Sequence, residues 1–253
     1  MFTPDYRPAP DLLAQRVILV TGASSGLGRE AALAFARHGA TVILHGRNTK
    51  RLEKLYDEIE GCGAPQPIIL PLDLARAGEV DYANVEQAIR ARAGRLDGLL
   101  HSAAHFAHLT ELAHESLEHW LTTLRVNSAA VHALTRACLP LLRAAPDASV
   151  VATAEMHGLQ PAAYWGAFAV SQGALLGWIT ILAQEWAPLP GLRVNLLVPG
   201  AVASPLRSRT HPGETQASRL APAALVPLWL YLMGPDSRGV SGQVFEASKL
   251  LAR

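Results

Sequence analysis

Apolar residues fall along this chain in two patterns that take turns. Short β-branched runs that stop at glycine or a polar cluster read as buried strands, and longer segments with apolar positions three to four apart read as helices. "RVILVT" (16–21) is the first strand and "LGREAALAFARHG" (27–39) a helix closed by Gly39. "ATVILHGR" (40–47) is a second strand, followed by a helix through "TKRLEKLYDEIEG". "PIILPLDL" (67–74), "LDGLLHSAA" (96–104), "ASVVATA" (148–154), "GLRVNLLVPG" (191–200) and "GQVFEA" supply five more strands. Helices are predicted over 79–94, 116–143 and 164–187, and over "AALVPLWLYLMG" despite Pro227. Strict strand–helix alternation predicts βαβ units, hence an α/β fold: a Rossmann-type, doubly wound parallel sheet with helices on both faces. One long polar stretch, "SPLRSRTHPGETQAS" (204–218), fits neither pattern and reads as a mobile lid over a substrate or as disorder.

With 253 residues, the pattern fits a single domain over 12–253 preceded by an N-terminal surface arm, 1–11, rich in proline. A net charge of +1 argues against a nucleic-acid surface or electrostatic attraction to a membrane. Cys62 and Cys138 are too few for a disulfide framework, which favours a reducing, cytoplasmic setting. The arm lacks the apolar core of a signal peptide, and the longest apolar stretches are broken by Pro, Arg, Gln or Glu, so no membrane span is expected.

The chemistry is announced by "TGASSGLGRE", between the first strand and the first helix. Gly22 permits a sharp exit from the strand, Gly26 lets backbone approach a diphosphate, and Gly28 lets the helix pack closely on the sheet. The diphosphate then meets the positive N-terminus of that helix. The second strand ends in Gly46-Arg47-Asn48 with no carboxylate. An acidic residue there would accept from a ribose 2′-hydroxyl, whereas Arg47 suits a 2′-phosphate, so NADP is expected over NAD; Arg47 as a solvated surface charge is the alternative. Asp73, ending the third strand, either accepts from the adenine amino group or caps the next segment.

These residues resemble the short-chain dehydrogenase/reductase family, over roughly residues 12–247. TGASSGLG is similar to its TGxxxGxG, Asp73-Leu74 to its acidic pair, Asn127 in "RVNSAA" to the asparagine of its fourth helix, and Asn195 with "VPG" (198–200) to the segment beside the nicotinamide. The resemblance implies a dinucleotide held by Gly22, Ser24, Ser25, Gly26, Leu27, Gly28, Arg47, Asn48, Asp73, Leu74, Ser102, Ala103, Ala104, Gln172, Pro199, Gly200 and Ser204. It also implies a homodimer or homotetramer packed through the helices at 116–143 and 164–187.

The resemblance fails at the reacting end. The family's Y-x-x-x-K, with a serine thirteen residues before the tyrosine, falls on Phe168, Gln172 and Glu155, and its N-A-G turn reads Ser102-Ala103-Ala104. Of the four catalytic positions only Asn127 is kept. Reading Tyr164 as the family's tyrosine would put Phe168 in the lysine position and break the fit of the surrounding residues. Phe168 removes the titratable phenol, a loss of about 10²–10⁴ in rate for a positioned acid. Gln172 can still donate to ribose hydroxyls but carries no charge to depress a neighbouring pKa. Glu155 puts an anion beside the nicotinamide, which favours the oxidised ring.

Two expectations follow. One is an NADP(H)-binding protein without ordinary dehydrogenase activity, a sensor or the structural partner of an active relative. The other is an NADP-dependent oxidoreductase on an unknown carbonyl or alcohol, with a different acid: Glu155 raised in pKa by burial, or His101, His105, His157 or Tyr164. No metal is expected, because the His101, His105 and His108 spacing is unspecific.

Overall fold

The apolar runs at the centre of the sheet become strands buried on both faces, as a covered parallel sheet requires, while the two edge strands are only partly buried. The computed structural model describes residues 2–251. The strands are β1 (Val17–Thr21), β2 (Thr41–Gly46), β3 (Ile68–Pro71), β4 (Gly98–His101), β5 (Ala148–Thr153), β6 (Leu192–Val198) and β7 (Val244–Glu246). They form one sheet in the order β3-β2-β1-β4-β5-β6-β7, with every pairing parallel. The chain winds outward from β1 to β3, then returns past β1 to lay down β4. The loops leaving β1 and β4 therefore diverge and open a crevice at the carboxyl edge of the sheet.

The helices are α1 (Gly26–Arg37), α2 (Thr49–Gly61), α3 (Glu79–Ala93), α4 (Leu117–Leu124), α5 (Ala130–Ala144), α6 (Gly166–Trp186), α7 (Pro205–Thr210), α8 (Val226–Met233) and α9 (Ala247–Leu250). One apolar layer joins α3, α5 and α6 to the sheet, and a second joins α1, α2 and α8 to its other face. Pro227 lies in the first turn of α8, where no intrahelical N–H is lost.

At the amino edge, opposite the crevice, a buried ion cluster staples β1, β5 and β6. Arg16 Nη1 lies 2.8 Å from Asp147 Oδ2, and Arg193 pairs with the other carboxylate oxygen. Burial alone would raise the Asp147 pKa, but Arg193 and Arg16 outweigh it and hold the carboxyl below its usual range.

Four expectations are revised. The helix predicted over 116–143 is α4 and α5 joined by a π-helical turn, Arg125–Ala129. The 204–218 stretch is ordered in part. Ser204 Oγ accepts from the Arg207 backbone N–H at 3.0 Å to start α7, and Pro205 occupies its first turn. The arm runs over the surface but is anchored: Phe2 is buried against Tyr231, and the Tyr6 hydroxyl donates to Asp236 at 2.7 Å. Finally, α6 is 21 residues long and apolar enough to cross a bilayer. It packs instead along β6 and α4 as a crossover helix, leaving one apolar face exposed.

Candidate functional site

The turn from β1 into α1 forms the floor of the crevice. Gly22 has φ +69°, and a Cβ there would stand 2.9 Å from the Ala103 backbone. Gly26 has φ +56° and lies under Pro205 of α7. Both need glycine, for conformation and for close approach. The Thr21 hydroxyl accepts from the Ser102 and Ala103 backbone N–H groups at 3.0 and 3.1 Å, tying the loops after β1 and β4 together. Ser24, Ser25 and Leu27 line the crevice, and Ser25 caps no backbone donor with its side chain. Gly28 does not line it: a Cβ there would meet the Gly22 carbonyl oxygen at 2.6 Å, so this glycine serves packing.

At the β2–β3 end, Arg47 lines the crevice and, among the described residues, makes no ion pair. Asn48 turns away; its Oδ1 accepts from the Arg51 backbone N–H at 3.0 Å and caps α2. Asp73 and Leu74 line the crevice, and Asp73 Oδ1 also accepts from the Ala75 N–H at 3.1 Å. His45, which sequence reasoning missed, is buried in the wall with neither ring nitrogen partnered. Burial lowers its pKa to about 4.

The β4–β6 end is built differently. Ala104, Phe168, Gln172, Pro199, Gly200 and Ser204 all line it, as does Glu155. Phe168 is buried in an aromatic cluster with Phe106 and Trp165. Gln172 Oε1 accepts from the Glu155 backbone N–H at 2.9 Å. Glu155 is not a bare anion. Its Oε1 accepts from Arg207 Nη1 at 3.2 Å, and its Oε2 from the His157 backbone N–H and Nδ1, each at 2.7 Å. Arg207 in turn grips Glu214 with Nε (2.9 Å) and Nη2, and this hydrogen bonding holds the Glu214 carboxyl near 2. Arg207 was invisible to sequence reasoning, although Ser204-Pro205, an N-cap followed by proline, is a helix-start signal.

Asn127 sits outside the crevice wall, in the π turn. Its Oδ1 accepts from the His105 N–H at 2.7 Å, and its Nδ2 donates to the His105 carbonyl at 2.9 Å and to Ser171 Oγ at 3.0 Å. It clamps the loop after β4. Asn195, expected beside the nicotinamide, instead bridges β6 to the approach to β7 through Val240 O and Gln243 N.

The alternative acids separate sharply. His101 is fully buried on Thr135 Oγ1 at 2.8 Å, with its pKa pushed to about 3 by burial, which removes it as a proton donor. Tyr164 is exposed, with φ +73°, and does not line the crevice. His157 lies just behind Glu155, stacked on Trp165 at 3.6 Å. Among these candidates only His105 and Glu155 line the crevice. Burial, then Arg47 and Arg209, lower the His105 pKa. His101 and His108 do not come together with His105 as a metal site: the first is in the core and the second is exposed beside His119.

A parallel sheet with this switch point and a glycine-floored crevice defines a dinucleotide-binding α/β protein. Residues 16–215 match the family model described as short chain dehydrogenase, and the chain belongs to that family. It is 40% identical to the oxidoreductase YciK of Escherichia coli over 242 residues, 96% of this chain and 95% of that one. A short chain dehydrogenase structure from Shigella flexneri, complexed with NADP, superposes with a TM-score of 0.91 at 39% identity, covering 95% of this chain and 100% of that one. One from E. coli complexed with NADPH gives 0.91 at 40% identity, covering 95% and 99%.

Proposed function

We infer that the protein binds NADP(H) along the carboxyl edge of the sheet and lacks the proton-transfer machinery usual in its family. It then acts as a sensor of the NADP pool or as the structural partner of an active relative. The residues present fit the dinucleotide. The glycine turn at Gly22 and Gly26 lies on the crevice floor at the N-terminus of α1, and Arg47, which makes no ion pair among the described residues, lines its β2 end. When bound, the dinucleotide supplies hydride chemistry. Arg47 would take the 2′-phosphate, the N-terminus of α1 the diphosphate, and Gln172, Pro199, Gly200 and Ser204 the nicotinamide end.

The observation that carries the reading is Phe168: the position that should hold the acid is an apolar ring packed against Phe106 and Trp165. Gln172 and Glu155 are engaged with protein partners, so neither stands ready to replace it. The experiment is titration of the purified protein with NADPH, NADP⁺, NADH and NAD⁺, followed by a panel of carbonyls and alcohols. Tight binding of NADP(H) without turnover supports the reading. Robust turnover by the unaltered protein, or binding of none of the four, overturns it.

A second reading, turnover through another acid, is favoured by one observation: His105 lines the crevice on backbone clamped by Asn127. It requires any activity to vanish in His105→Gln. The exposed apolar face of α4 and α6, with Leu117, Leu121, Val170 and Ile181, supports the homo-oligomer expected from the family. Ile181→Glu should lower the oligomeric state seen by light scattering. The two unpaired thiols accord with a reducing, cytoplasmic setting.

A further inference from the structure

At the crevice wall, with Glu155 on the lining and the two histidines outside it, three ligating side chains from two separate segments converge. Glu155 and His157 belong to the turn after β5, and His211 follows the last residue of α7. One ligating atom from each lies within 4.8 Å of the others, and all three side chains are partly shielded from solvent. We propose that Glu155, His157 and His211 form a site for a divalent transition-metal ion of the zinc class.

The donor set is one carboxylate oxygen and two imidazole nitrogens, which suits a borderline ion such as Zn²⁺ and not Mg²⁺ or Ca²⁺, whose ligands are oxygen. Three protein ligands leave at least one coordination position open. The surroundings orient each ligand as a metal site needs. Thr210 Oγ1 donates to the Arg207 carbonyl at 3.3 Å, so the same hydroxyl accepts from His211 Nδ1–H at 2.8 Å, which leaves Nε2 as the lone-pair nitrogen. The His157 ring is fixed by stacking on Trp165, with planes 13° apart, and His211 packs on the same indole at 5.2 Å. Its Nδ1 proton on Glu155 Oε2 is the one an ion would displace.

Arg207 is the obvious competitor, yet its stronger attachment is elsewhere. It meets Glu214 through two nitrogens and Glu155 through one contact at 3.2 Å. That contact occupies Oε1 and leaves Oε2 facing the histidines. The ion ties the end of α7, whose first residue overlies Gly26, to the turn after β5, and so pins a segment that covers the crevice.

The test uses tag-free, chelator-treated full-length protein titrated with Co²⁺ and with Zn²⁺ in the absence of dinucleotide, so its outcome is independent of the cofactor reading. One equivalent of Co²⁺ per chain, with the visible absorption of a four- or five-coordinate N/O site, is expected, and Zn²⁺ should displace it. His211→Ala and His157→Ala should each weaken Co²⁺ binding by at least about tenfold. Metal-free circular dichroism and melting of each variant identify any that fails to fold, in which case His211→Gln replaces it. His119→Ala, which breaks the exposed His108–His119 pair, should leave binding unchanged. The proposal is overturned by substoichiometric binding, by a spectrum of six-coordinate aqueous type, by binding unchanged in folded His211 and His157 variants, or by binding lost in His119→Ala.

Discussion

At the β2–β3 end of the crevice, Arg47 lines the wall and makes no ion pair among the described residues, while His45 beneath it is sealed from solvent with both ring nitrogens unpartnered. At the β5–α6 end more of the polar groups are engaged, although Thr153 Oγ1 has no partner. Both Glu155 carboxylate oxygens, the Asn127 amide and Gln172 Oε1 are engaged by Arg207, His157, His105, Ser171 and the Glu155 backbone, which leaves Gln172 Nε2 as the free donor on that side chain. An exposed guanidinium at the crevice lip with no carboxylate partner is available to an anionic ligand. Groups already satisfied by the protein are less available to a substrate. The contrast separates an end that is finished by a ligand from one that is finished by the protein.

The largest effect should come from reversing that second condition. The triple variant Phe168→Tyr, Gln172→Lys, Glu155→Ser should raise carbonyl reduction with NADPH by about 10²–10⁴-fold over the unaltered protein. Measured turnover equal to background, with NADPH still bound, would mean that the three losses are not the barrier. Next comes the floor of the other end. Gly22→Ala forces an L-residue to φ +69° and a Cβ to 2.9 Å from the Ala103 backbone, and NADPH affinity should fall by about 10²-fold in a fluorescence titration. Unchanged affinity would move the dinucleotide elsewhere.

Smaller again is Arg47→Ala. Loss of one charge-assisted contact is worth about 1.5–3 kcal/mol, so the preference for NADPH over NADH should drop by about 10–100-fold, mostly through NADPH. Equal preferences before and after would leave Arg47 as a solvated charge. Smallest per step is an effect on stability, read one pH unit at a time. His45 and His101 have folded pKa values near 4 and 3, below the unfolded value near 6.5. The unfolded chain therefore binds more protons below pH 6.5, and stability falls as pH drops from 6.5 toward 4, by at most about 1.4 kcal/mol per pH unit per histidine. His45→Leu should flatten this acid limb in denaturant melts across pH 4–7, because the unpartnered ring contributes proton linkage and no hydrogen bond. An unchanged slope would mean that His45 takes up protons in the fold as readily as in the unfolded chain.

Much of this was written in contiguous residues. Strand–helix alternation determined the parallel sheet, and TGASSGLG determined its glycine floor, since both depend on local periodicity and backbone freedom. The proposal that the acid is missing rests on an equally local feature, a residue type at a known offset in "GAFAVSQ". What tertiary structure alone decided were contacts between residues far apart in sequence. The π turn that aims Asn127 at His105, the removal of His101 into the core and the capping role of Asn48 carry no reliable local signature. Neither does the meeting of Arg207 and His211 with Glu155, more than fifty residues away, which requires α7 to fold back over the crevice. Side-chain chemistry can be read from the chain, but which side chains share a desolvated space is fixed only when sheet and helices close around it.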